Sequence, residues 1–143
     1  MMAHRRWLPM AALLLFVPPA VSGQGPVLTA AQAAAFIGTW AIDMTEPPEF
    51  RATHTVRIWD NNGVVAASVQ TGKFPPNNVT GILKDGDMLV LTISHEAQPG
   101  MLENGAPIWA VISLTLDGDT MKTAYMLERS QTIKRGAGKR QAN

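Results

Sequence analysis

The chain has no cysteine among its 143 residues. That excludes a disulfide framework, a thiol nucleophile, a thiolate metal site and a lipid-modified cysteine behind an export leader. Charge is scarce as well. Only 16% of residues are Asp, Glu, Lys or Arg, and the formal net charge is +1. A nucleic-acid binder needs a concentrated basic face, which so dilute a charge does not supply. Histidine is limited to His4, His54 and His95. Two of these lie beyond the N-terminal apolar segment, too few for a centre built on three or more protein ligands, so no metal and no cofactor is expected. No Ser-His-Asp spacing and no glycine-rich nucleophile turn is present.

The longest apolar stretch, Trp7 to Val17, is interrupted by Pro9 and ended by Pro18-Pro19. It is too short to span a bilayer, which takes about 20 residues. It fits a signal peptide over Met1 to Gly23 instead. His4, Arg5 and Arg6 form the charged start, and Val21-Ser22-Gly23 offers small residues before Gln24. Arg5 and Arg6 leave with it and no acid does, so a formal +1 becomes −1. The expectation is a secreted or periplasmic protein with no stable membrane span after cleavage.

What remains is rich in turn formers, with 12 Gly and 10 Pro in the whole chain, and 46% hydrophobic. Residues 24–37 read as a linker and a short helix, with Thr29 as the cap and Ala30 to Ile37 as the helical run. Such a helix is too short to hold alone and must lean on a core. At Gly38 the period changes to two. Thr39–Thr45, Arg51–Trp59, Val64–Gln70, Val79–Lys84, Met88–Ser94, Pro107–Leu116, Thr120–Leu127 and Arg129–Arg135 read as strands. Asp60-Asn61-Asn62-Gly63 is a strong hairpin signal, and Asp85-Gly86-Asp87 and Asp117-Gly118-Asp119 are tight turns. Consecutive hairpins imply an antiparallel meander, and closing it removes two exposed edges. The expected fold is all-β: about eight strands in an up-and-down antiparallel barrel over 38–135, with 136–143 as a flexible basic tail.

Gly38-Thr39-Trp40, set after a short helix and before a meander, resembles the opening of the lipocalin-like (calycin) barrels. That fold tends to lay an arginine of the last strand across the tryptophan ring, which implies a structural role for Gly38, Trp40 and Arg135, with Arg129 as the other candidate in phase. The mature chain is short for a classical lipocalin and lacks the family's frequent disulfide, so a bacterial-style secreted member fits better. The resemblance implies binding of a small apolar or amphipathic molecule. The alternative it implies is a protein-interaction barrel, such as a protease inhibitor that acts through an N-terminal arm, here Gln24 to Leu28.

Four residues are candidates for ligand contact. Arg129 and Gln131 alternate in the last strand, faintly like the carboxylate-binding pair of small fatty-acid-binding barrels. Arg57 is a second cationic anchor. Trp109, with Trp59, could flank a ligand entrance or pack under loops. An enzyme would need His54, His95, Glu96 or Arg57 to converge, and period two puts His54 and Arg57 on opposite faces. The chain therefore reads as a binding protein rather than an enzyme.

Overall fold

A computed structural model describes residues 27–94, 102–103, 106–128, 130 and 132–142. Residues 1–23, expected as a signal peptide, residues 24–26 and the candidates Arg129, Gln131, His95 and Glu96 lie outside the described residues. Ten strands are present among the described residues: β1 (Gly38–Glu46), β2 (Ala52–Asn61), β3 (Val64–Thr71), β4 (Asn77–Asp85), β5 (Met88–Ser94), β6 (Leu102–Glu103), β7 (Ala106–Pro107), β8 (Trp109–Asp117), β9 (Thr120–Leu127) and β10 (Ile133–Arg140). Eight of them close a barrel in the order β1-β10-β9-β8-β5-β4-β3-β2, all pairs antiparallel. Strands adjacent in the chain are adjacent in the wall. The small β6–β7 hairpin is an excursion between β5 and β8.

Alternation decides which side chains fill the barrel. Trp40, Ile42 and Met44 from β1, Val56 and Ile58 from β2, and Leu89, Leu91 and Ile93 from β5 are buried in one cluster with Ile112, Leu114, Met121 and Tyr125. Each is in the phase that the period of two predicts. The intervening residues are partly buried, such as Ala41, Val90 and Thr92, or exposed, such as Asp43, Arg57 and Lys122.

One end of the barrel is closed by the segment that precedes β1. Thr29 and Gln32 exchange hydrogen bonds: the Thr29 amide donates to Gln32 Oε1 (2.9 Å) and the Gln32 amide donates to Thr29 Oγ1 (3.2 Å). This is a capping box. It caps a turn rather than the expected α-helix, because only Ala34–Phe36 form a 3-10 turn. Eight alanine-rich residues do not repay helix nucleation, and burial of Ala33 and Phe36 against the core sets the path instead. Side- and main-chain hydrogen bonds fasten this segment to the closed end. Ala30 N–H donates to Gly63 O (2.9 Å), Lys84 Nζ to Gln32 O (3.3 Å), and Arg140 Nη2 to Ala35 O (2.8 Å).

Residues 136–140 were expected in a flexible tail. They form instead the second half of β10, paired with β1 from Trp40↔Arg140 to Met44↔Gly136. Glycine has low strand propensity, yet here it is required. A Cβ on Gly136 would run into the backbone of Asp43, and one on Gly138 into the backbone of Ala41. The last strand also starts later than expected, at Ile133 rather than Arg129.

Candidate functional site

The wall of the barrel is not uniformly sealed. β3 and β4 are paired only at Ser68↔Asn78 and Val69↔Asn77. Toward the closed end they diverge, whereas β2–β3 remain paired from His54↔Thr71 to Asn61↔Val64. A cleft of about 790 Å³ lies in this gap. Its lining is drawn from both sides of the wall. Val65, Ala67, Val79 and Ile82 lead to the core, while Trp59, Val64 and Leu83 stand at the outer mouth. Among the described residues no acidic or basic side chain lines it. Val64 and Leu83 are exposed apolar side chains there, at 41% and 54%.

The cleft has a partial lid of main chain. Thr29 forms an antiparallel bridge with Val64, and the Val65 N–H donates to Leu28 O (3.1 Å). Val65 therefore turns its backbone toward the gap, and by alternation so does Ala67. Of the expected N-terminal arm 24–28, the described residues Val27 and Leu28 both line the cleft. Leu28 is tied to β3 and is not a free arm.

Arg57 is on the outer face of β2, exposed, with its guanidinium carbon 5.0 Å from the Trp59 ring centroid. Its lateral partners are Thr39 and Ser68. Since Trp59 lines the cleft, Arg57 stands beside the mouth. Trp109 is elsewhere. It begins β8, opposite Ser94, at the other end of the barrel and four strands round from β2. The two tryptophans do not flank one entrance. Trp109 is 41% exposed, and its carbonyl accepts a hydrogen bond from the Glu128 amide (2.9 Å).

The closed end carries a different constellation. Trp40 is buried, its Nε1–H donates to Phe36 O (2.8 Å), and Arg140 lies over its ring at 4.7 Å. Arg135, expected in that role, is exposed on β10 opposite Glu46 and Ala124. The correction follows from the strand running to Arg140, which brings that residue level with Trp40. Gly38 has φ +143°, and a Cβ there would meet Arg140 Nε at 3.0 Å. Its role is to let the arginine lie down on the indole.

At the opposite end the core turns polar. His54 and Tyr125 are buried with ring centroids 5.5 Å apart. Burial pushes the Tyr125 phenol well above its ordinary pKa of 10.0. The Lys134 ammonium sits 5.6 Å from the Tyr125 centroid and 5.0 Å from that of Phe50. His54 faces inward and Arg57 outward. Among the described residues there is no group of three or more His, Cys, Asp or Glu side chains able to hold a metal.

These features define a closed eight-stranded antiparallel β-barrel with a buried apolar core and a gap between β3 and β4. The chain matches no known family model, no curated protein and no solved structure.

Proposed function

We propose that the protein is an exported, lipocalin-like binding barrel that takes a small apolar or amphipathic molecule in the cleft between β3 and β4. The observation that carries this is the cleft itself: about 790 Å³, with uncharged walls that run from exposed Leu83 to core-linked Val79 and Ile82. That size and lining suit a small ligand, because ligand pockets are mostly apolar and of ~300–1,000 Å³. The Gly38-Thr39-Trp40 opening and the Arg140 contact support the lipocalin-like reading of the fold. The charged start at Arg5 and Arg6 and the apolar stretch Trp7 to Val17 support export. Binding acts by transfer of apolar surface from water, about 25 cal/mol per Å².

The test is a titration of delipidated protein with the neutral fluorophore N-phenyl-1-naphthylamine, followed by native mass spectrometry of the protein as purified. A saturable signal at one site per chain is expected. No saturation, together with no co-purified small molecule, would overturn the reading.

A protein partner is the second reading, favoured by the edges of β3 and β4, which pair with each other only at Ser68↔Asn78 and Val69↔Asn77 among the described residues. An extended peptide adding to an edge strand makes main-chain hydrogen bonds. It would slow amide exchange at Ala67, which a small apolar molecule has no acceptor to do.

A further inference from the structure

The cleft has a chemical polarity that its apolar lining does not by itself reveal. Its outer mouth is bordered by Trp59, and Arg57 lies on that ring. Across the outer face, Arg57, Ser68 and Asn78 form one row through the paired positions Arg57↔Ser68 and Ser68↔Asn78. The row ends at the cleft, since Asn78 lines it. Arg57 has no carboxylate at ion-pair distance among the described residues. Its neighbours along the strand on that face are Thr55 and Trp59. The next acid on β2, Asp60, is of the opposite phase and already accepts the Gly63 amide at 2.6 Å. The guanidinium is thus held in place by the indole while its hydrogen-bonding edge is left without an anion.

We infer that the ligand is an anionic single-chain amphiphile, its acyl chain in the gap between β3 and β4 and its head group on Arg57, with Ser68 and Asn78 as neutral donors beside it. This rests on the cleft being the binding site. The chemistry is that of a planar cationic fork facing a carboxylate or phosphate, a pairing stronger and more directional than a neutral hydrogen bond. Position adds to it. A chain entering through the side of the barrel must leave its head on the outer surface, where Arg57 stacks on the cleft-lining Trp59, while Lys84, next to Leu83, is already engaged with Gln32 O. A head group placed inside would meet Val65, Ala67 and Val79 and lose its hydration without a partner.

The experiment compares dodecanoate, dodecyl phosphate and dodecanol, each below its micellar concentration, on delipidated protein by isothermal titration and by the emission of Trp59, with the Trp59→Phe variant identifying that signal. Both anions should bind at least ~10-fold more tightly than dodecanol, in keeping with a charge-assisted contact. Arg57→Gln should bring the anions down to the dodecanol affinity and leave dodecanol unchanged. Arg57→Lys should retain part of the preference. Arg135→Gln, which removes a cation from β10 on another part of the wall, should change nothing. Tighter binding of one anion than the other tells carboxylate from phosphate. Equal affinities for all three in the wild type, or a preference that survives Arg57→Gln, would overturn the inference while leaving the cleft as an apolar site. Failure of dodecanol and of N-phenyl-1-naphthylamine alike would remove the cleft reading as well.

Discussion

Arg140 lies over Trp40, with its guanidinium carbon 4.7 Å from the indole centroid, and donates to Ala35 O at 2.8 Å. One side chain thus joins the last strand, the first strand and the 3-10 turn that covers the barrel end. Trp40→Ala should cost about 3–5 kcal/mol, the range for removing a buried tryptophan. Arg140→Ala should cost about 0.5–2 kcal/mol, the worth of a cation–π contact. The two losses should be non-additive, because they share one contact. Arg135→Ala should cost close to nothing. Urea unfolding of the four proteins and the double variant measures each value, and a costly Arg135→Ala with a neutral Arg140→Ala would refute the assignment.

Closure of the barrel depends on the approach of β10 to β1. Gly138→Ala places a methyl group against the Ala41 backbone, and Gly136→Ala does the same at Asp43. Backbone cannot step aside as a flexible side chain can, so each should destabilise by at least ~1–3 kcal/mol, the range for overpacking. Deleting residues 137–143 should unfold the protein, since it strips β1 of its partners from Trp40 to Asp43. A truncated chain with an unchanged urea midpoint would show that the barrel closes without that half-strand.

The core strands were legible because their signal is local. Trp40, Ile42 and Met44, or Leu89, Leu91 and Ile93, alternate with less buried residues, and burial follows the alternation. The end of the chain was not legible for the same reason. Gly136-Ala137-Gly138 has no alternation and weak strand propensity, and becomes a strand because β1 needs a partner that can come close. The cleft was illegible for a different reason. Periodicity says which way Val65 or Val79 points, but not how far β3 stands from β4. Arg57 reads as a candidate anchor from its charge and its phase on β2. That it stands beside an opening depends on Trp59 lining a gap between two other strands, which no sequence period encodes.

Tyr125 is the sole tyrosine of the chain, so its ionisation can be followed by absorbance near 295 nm (the tyrosinate band). Desolvation raises its pKa above the ordinary value of 10.0. Between the unfolded and the folded pKa, the unfolded chain has released the phenolic proton and the folded chain has kept it. Stability from this group is therefore complete below about pH 10 and declines as the pH rises above it. Absorbance should stay flat through pH 10 in the folded protein and rise only with unfolding. Tyr125→Phe should flatten the alkaline decline. A reversible tyrosinate signal at pH 10 with intact near-UV dichroism would mean that the phenol is open to water.

Ala66 offers the most direct way to close the cleft. It lies on β3 opposite Trp59, in the cleft lining and only partly buried, so a larger side chain there has outer space to fill rather than core to displace. Ala66→Trp should therefore keep the urea midpoint within about 1 kcal/mol of wild type, as surface changes away from special features do. It should also reduce affinity for N-phenyl-1-naphthylamine at least ~10-fold, because the occupied volume is no longer available to a ligand buried there. A core-facing change such as Ile42→Ala should instead lower stability by about 2–5 kcal/mol, and the folded fraction should still bind the probe. The opposite pattern, binding kept in Ala66→Trp and lost in a still-folded Ile42→Ala, would move the site from the wall of the barrel to its axis.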